Sequence, residues 1–125
     1  MITRTRGEVE AEISQAIVKF EREYMGRGPE DCKVFVFQDV VFVRLRGVLT
    51  PAERQLVKAE DASAGRKLIK EVRQELLEKA RTLLEAIVTD ALGLRVKSLH
   101  TDISTATGER IIIFTLEGRP EFRYD

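Results

Sequence analysis

The chain has 125 residues, of which 43% are hydrophobic and 34% charged, so it can bury a core without metals or disulfides. Acidic and basic residues balance at 21 each. This balance disfavours a dedicated nucleic-acid binder, because neutralising phosphates normally requires a basic excess. We predict a single domain over residues 1–125, with its core at about 7–117 and a short flexible tail at 118–125.

Targeting and redox signals are weak in this sequence. Residues 1–6 run straight into charged positions, and no apolar run approaches the ~20 residues that cross a bilayer. The single cysteine, Cys32, can form no disulfide within the chain and cannot build a cysteine-rich zinc site. We therefore expect a cytoplasmic protein that does not span a membrane, and we predict no metal and no cofactor.

The first predicted element is a helix over residues 7–25. Apolar side chains recur there at three- and four-residue steps, for example Val9, Ile13 and Ile17. Gly26 is typical of the position just past a helix end, and Pro29 prevents the helix from resuming.

Two β-rich runs follow at residues 34–37 and 40–46. Gln38 and Asp39 lie between them, so we predict a hairpin with these two residues as its turn. Because side chains alternate across a strand, Phe42, Arg44 and Arg46 should share the face opposite Val43.

The middle of the chain predicts two helices. Thr50, Pro51 and Glu53 form the start signal of the first, with Thr50 as N-cap and Glu53 completing a capping box. This helix should run to about residue 60, and residues 61–65 should form a weak break. A long helix should then occupy about residues 65–92, ending before Gly93.

The apolar stripe of the long helix is expected to cover the sheet. At about 28 residues the helix would span roughly 40 Å, more than the ~26 Å diameter expected of a domain of about 100 residues. Either the helix is kinked, or its end projects and meets a partner. The surplus apolar surface of a projecting helix favours a homodimer. The predicted core-facing residues are Leu68, Ile69, Val72, Leu76, Ala80, Leu83, Leu84, Ile87, Val88 and Ala91.

A second hairpin should close the chain, with strands at residues 94–103 and 110–116 and a polar loop at 104–109. The alternation of the first strand breaks near Ser98, which predicts a β-bulge there. The element order α-β-β-α-α-β-β predicts an α+β fold, with an antiparallel four-stranded sheet made of two hairpins and helices packed on one face.

No residue is predicted to be catalytic. His100, the only histidine, and Asp102 should share one face of a strand, as a general base and its orienting carboxylate or two metal ligands would require. Neither Ser98 nor Thr101 lies in a recognisable nucleophile setting. The favoured interpretation is a surface pair in which Asp102 accepts backbone N–H groups.

Three further features are weak candidates for binding a ligand. Arg27 lies in a loop between Gly26 and Gly28 that resembles an anion loop but lacks the Walker and Rossmann spacings. Arg44 and Arg46 share one strand face and are able to hold an anion or a partner's carboxylates. The last candidate is a hydroxyl-rich loop, which contains Thr101, Ser104, Thr105 and Thr107.

Several segments together resemble one bacterial family, MpsC, of the Na+-translocating membrane potential-generating system. The segments are Gly7–Ser14 with Ala16 and Ile17, Tyr24–Pro29, Val43–Glu53, Leu99–Thr105 and Thr107–Arg110. The resemblance implies an association with a membrane cation or inorganic-carbon uptake system, and an accessory or regulatory role. It implies no catalytic residues. The family-like positions of interest are Gly26, Arg27, Gly28, Arg44, Arg46, His100, Asp102 and Thr105.

Three functions remain open at this point. The first is a non-enzymatic accessory or interaction protein, a homodimer with a protein partner in a membrane system. The second is a small-anion or nucleotide-binding regulatory domain that uses Arg27, Arg44, Arg46 and His100. The third is an RNA-binding module, which the zero net charge disfavours.

Overall fold

The computed structural model describes residues 2–58 and 62–124. Its elements follow the predicted order of helices and strands. They are α1 (Arg6–Tyr24), β1 (Asp31–Phe37), β2 (Val40–Arg46), α2 (Pro51–Lys58), α3 (Ala62–Leu92), β3 (Val96–Ser104) and β4 (Glu109–Leu116).

The four strands form one sheet in the order β1-β2-β4-β3, and every neighbouring pair is antiparallel. One face of the sheet packs against helices, since α1 contacts β1 and α3, and α3 contacts β3. The predicted α+β class and two-hairpin sheet are confirmed. The core lies between the helices and the inward side chains of the central strands, which include Val41, Val43, Ile112 and Phe114, all fully buried.

Local sequence signals account for most element boundaries. Thr50 and Glu53 form the predicted capping box: Glu53 accepts from the Thr50 backbone N–H at 2.9 Å, and Thr50 Oγ1 accepts from the Glu53 N–H at 3.2 Å. A second capping box, between Thr5 and Glu8, begins α1 one residue earlier than predicted. Gly26 has a positive φ of 85°, as its place just beyond α1 requires.

The first hairpin has the predicted turn, whereas the second connection is shorter than predicted, at 105–108, because Ser104 and Glu109 already pair in the sheet; β3 also begins at Val96 rather than at 94. Gln38 and Asp39 join β1 to β2, and Gln38 has a φ of 54°. The register between β3 and β4 shifts between Val96 and Ser98, which confirms the bulge. Strand β1 begins at Asp31, three residues before the predicted start, because its partner strand runs on to Arg46.

The predicted break at residues 61–65 is wrong for residues 62–65, which already belong to α3. Asp61, and the predicted end of α2 at Glu60, lie outside the described residues. Gly65 permits close packing between the two helices rather than a break. A Cβ at this position would lie 2.5 Å from the backbone oxygen of Leu56 in α2.

Helix α3 has 31 residues, about 46 Å, and only part of its predicted apolar stripe faces the core. Leu68, Val72 and Leu83 are 50%, 48% and 54% exposed, so their predicted burial is wrong. The side that packs inward is rotated relative to the predicted one. It consists of Ile69, Arg73, Leu77, Ala80, Leu84, Val88, Ala91 and Leu92.

The last residues of the chain pack against the first ones. Phe122 is buried in the core, and the backbone N–H of Ile2 donates to Glu121 O at 2.8 Å. Packing therefore extends past residue 117, where we expected the core to end, because Phe122 joins the core and the Arg6 guanidinium at the start of α1 lies over its ring.

Replacing Gly65 with alanine should destabilise the protein by about 1–2 kcal/mol, because the new methyl group collides with backbone rather than with a flexible side chain. In an open helical site the same change stabilises, by up to about 1 kcal/mol. Gly7 in α1 is the matched control, since a Cβ there would meet nothing within 4 Å. Urea denaturation of both variants should give opposite signs, and a stabilising Gly65→Ala would contradict the close helix contact.

Candidate functional site

A basic pocket lies where the end of the first hairpin, helix α2 and the β3–β4 turn meet. Its volume is about 700 Å³. Four basic and two acidic side chains line it, an excess of two positive charges in a chain whose net charge is zero. The charged residues of this basic pocket are Glu30, Arg44, Arg46, Arg54, Lys58 and Glu109.

Arginines already engage both carboxylates of the basic pocket. Arg44 Nε donates to Glu109 at 2.6 Å. Glu30 accepts from Arg54 at 3.3 Å and from Arg27 at 3.5 Å. Because all these side chains are partly exposed, each pair adds only roughly 0–1 kcal/mol to stability. The main effect of these ion pairs is to neutralise the two carboxylates of the pocket wall.

Arg46 and Lys58 have no such partner among residues 2–58 and 62–124. Neither side chain makes a hydrogen bond or ion pair there. Both are exposed and both line the basic pocket. Two positive charges therefore face the pocket without a described protein counter-charge.

The β3–β4 turn supplies the hydroxyl groups of the basic pocket. Thr105, which is 7% exposed, and Thr107 both line it. The turn is tied to the end of β2, because Val48 N–H donates to the Gly108 carbonyl at 3.1 Å. The pocket thus brings together Thr105, Arg44 and Arg46, three of the six predicted binding residues.

Arg27 lies beside the basic pocket rather than in its wall. Its guanidinium donates to the Leu49 carbonyl at 2.8 Å and contacts Glu30, which does line the pocket. The loop from Gly26 to Gly28 does not line the pocket. The loop ends α1, while the Arg27 side chain holds it to the start of α2.

His100 and Asp102 lie on strand β3, away from the basic pocket, and make no hydrogen bond to each other. His100 Nε2 lies 3.1 Å from Ser98 Oγ. Asp102 accepts the backbone N–H of Ile103 at 2.9 Å and lies 3.5 Å from Lys70 Nζ. One backbone N–H thus donates to Asp102, and among the described residues the pair lacks the contact that a base and its orienting carboxylate need.

Metal-ligating side chains do not gather in the part of the chain that the structure describes. No group of three or more His, Cys, Asp or Glu there is placed to hold an ion. Burial raises the pKa of the Cys32 thiol, so the thiolate that binds metals is disfavoured at neutral pH.

The second feature of interest is the open sheet face, on the side of the sheet away from the core. Residues opposite one another on neighbouring strands share a face, so one row across the sheet reads Phe35, Phe42, Ile113 and His100. Phe35 is 52% exposed and lies 6.3 Å from the Phe42 ring, centroid to centroid. The apolar members of the open sheet face are Phe35, Phe37, Val40, Phe42, Ile111 and Ile113.

The third feature, a buried charge network, was missed from the sequence. Arg110 on β4 donates to Glu21 on α1 at 2.9 Å, with both side chains nearly inaccessible. Arg73 on α3 donates to Glu53 at 2.7 and 2.8 Å and to the Val48 carbonyl at 2.9 Å. Within the described residues, Arg73 Nη1 finds no acceptor.

Glu21 and Arg110 each lie in line with the buried apolar residues of their own helix or strand. Glu21 is the next four-residue step after Val9, Ile13 and Ile17, and Arg110 begins the alternation of Ile112 and Phe114. A charged residue at a position where the periodicity requires a buried apolar one was therefore the sequence signal for this buried ion pair.

Comparison with known proteins identifies the family to which this chain belongs. Residues 5–118 match the family described as "Na+-translocating membrane potential-generating system (MpsC)". The chain is also 39% identical over 113 residues to "Uncharacterized protein YbcI" of Bacillus subtilis (strain 168). The aligned region covers 90% of this chain and 89% of the relative. The chain therefore belongs to the MpsC family, as its sequence motifs indicated. No solved structure matches it.

Helices that could cross a bilayer are not found in the described ranges. None of the helices in residues 2–58 and 62–124 is both long and apolar enough.

Proposed function

We propose that this chain is a cytoplasmic, non-enzymatic accessory protein of the membrane potential-generating system for which its family is named, and that it acts by binding other protein chains. The open sheet face carries this proposal. Helices cover the opposite face of the sheet, while this face keeps its aromatic side chains in solvent.

The open sheet face has the composition of a protein-binding surface. Phe37, at 66% exposed, and Phe35 stand beside Phe42 and the two outward isoleucines of β4. Contiguous apolar patches rimmed by polar groups mark interaction sites, and aromatic anchors dominate their binding energy. Lys33, Arg44, Asp102 and His100 supply the polar rim. We take the occupant to be a membrane-anchored subunit of the same system, because the family is named for a membrane potential-generating system.

The outward stripe of α3 supports self-association. Leu68, Val72 and Leu83 are each about half exposed and lie at spacings of 4 and 11 residues, which place them on one side of a helix. A second copy of the chain, packing α3 against α3 about a two-fold axis, would bury the same stripe from both protomers. This is the homodimer expected from the length of the helix.

The test is gentle extraction of the tagged full chain from the cell that encodes it. We expect a membrane subunit of the potential-generating system to co-purify. The double variant Phe35→Ser/Phe37→Ser should reduce its recovery at least about tenfold, because truncated aromatic anchors cost about 2 kcal/mol or more. Circular dichroism should be unchanged, since both rings are exposed.

A second double variant separates the two surfaces. Val72→Lys/Leu83→Lys should turn a dimer into a monomer by light scattering while leaving partner recovery intact. A monomeric wild-type chain would overturn the dimer. Partner recovery that does not depend on Phe35 and Phe37 would overturn the role of the open sheet face.

A further inference from the structure

The basic pocket has the size, charge and lining of a small-molecule site. It adjoins the open sheet face at Arg44, and no residue of the outward stripe of α3 lines it. We propose that it binds a nucleotide-sized organic phosphate carrying at least two negative charges. Its volume, about 700 Å³, falls in the range of roughly 300–1,000 Å³ typical of ligand pockets.

The charge balance of the basic pocket sets the charge of the ligand. Glu109 and Glu30 are satisfied by Arg44 and Arg54. What remains is Arg46 and Lys58, whose side chains have no partner in residues 2–58 and 62–124. A doubly charged phosphate neutralises this surplus of two, and both a guanidinium and an ammonium bind phosphate oxygens.

The uncharged part of the lining indicates that the phosphate is attached to an organic group. Leu49, Val57 and Ala106 give the pocket an apolar surface next to its cations. The hydroxyls of Thr105 and Thr107 provide polar groups of the kind that orient a sugar or a ring. Inorganic phosphate would leave this part of the lining uncovered.

The test is calorimetric titration of the full-length wild-type chain with ADP, ATP, AMP and inorganic pyrophosphate at physiological salt. We expect ADP to bind more tightly than pyrophosphate. Arg46→Gln and, separately, Lys58→Gln should each weaken ADP binding about tenfold, as loss of a charge-assisted contact does. Arg95→Gln is the matched control, because Arg95 is exposed and lies outside the pocket.

Each outcome decides the proposal. No binding of any of these phosphates overturns it, and so does an equal loss in Arg46→Gln and Arg95→Gln, which would mark diffuse electrostatics. Equal affinity for ADP and pyrophosphate overturns the organic part of the ligand. Because Arg46 and Lys58 are exposed, their variants should unfold at the wild-type temperature, so a loss of binding is not a loss of fold. Partner recovery on the open sheet face is measured separately and does not depend on this result.

Discussion

Replacing Glu21 with glutamine is expected to lower the free energy of unfolding by about 3–5 kcal/mol, the usual result of removing one partner from a buried ion pair. Glu21 and Arg110 are 1% and 3% exposed. A guanidinium remains charged in a protein interior, so the variant would leave Arg110 buried without its counter-ion. Chemical denaturation at pH 7 measures the loss.

The perturbed pKa values of the pair explain why each charge depends on the other. Burial raises the pKa of Glu21, against the opposing influence of Arg110 and Arg73. Burial likewise lowers the pKa of Arg110, while Glu21 acts to raise it. Both pKa shifts show that the protein interior disfavours the charged form of each group. The hydrogen bond between Glu21 and Arg110, at 2.9 Å, offsets that cost only while both partners are present.

Two comparisons make this prediction sharp. Glu109→Gln breaks the Arg44–Glu109 pair, which is even shorter at 2.6 Å but whose side chains are 40% and 30% exposed. It should therefore cost no more than about 1 kcal/mol. The double variant Glu21→Met/Arg110→Met should be more stable than either single change, because it removes both charges from the interior. Equal losses at Glu21 and Glu109 would contradict the role assigned to burial.

The elements that the sequence predicted well are those with a local chemical signal. The reciprocal Thr50–Glu53 cap, the turn at Gln38 and the helix stop at Gly26 are each encoded within four residues. Strand alternation then places Phe42 and Arg44 on the outer face, as observed. The basic pocket was not predicted, because the net charge of the whole chain is zero and the pocket joins Arg44 of β2 to Arg54 and Lys58 of α2.

Helix α3 shows where such local reasoning fails. It carries apolar residues around more than half of its circumference, so periodicity alone offers two stripes, one through Leu77 and Leu84 and one through Val72 and Leu83. The choice between them depends on α2, which packs on α3 near Gly65, and on Arg73, which must turn inward to reach Glu53. These contacts join residues 9 and 20 positions apart, beyond the three- and four-residue steps on which helix periodicity depends.

Replacing Glu53 with glutamine should lower the free energy of unfolding by about 2–3 kcal/mol at pH 7, since the charged hydrogen bonds to a buried arginine are lost. Burial alone would raise the pKa of Glu53, but hydrogen bonds from Arg73 and Thr50, with the charge of Arg73, lower it overall. A lowered folded-state pKa stabilises the protein above the unfolded value of about 4.5, and this contribution disappears as the pH falls through the folded-state pKa. The difference between wild type and variant should therefore be largest near neutral pH and should shrink on acidification below about pH 4.5.

Denaturation curves collected from pH 7 to pH 3 measure that difference directly. Glu21 is present in both proteins, so its opposite pKa shift cancels in the comparison. Glu71→Gln, an exposed position on α3, is the control and should follow the wild-type curve. If the gap between wild type and Glu53→Gln stayed constant across this range, Glu53 would be acting through the neutral geometry of its capping box with Thr50. If the gap closes in acid, the stabilising species is the charged Glu53 carboxylate, which accepts from Arg73 of α3 and from the Thr50 backbone N–H at the start of α2.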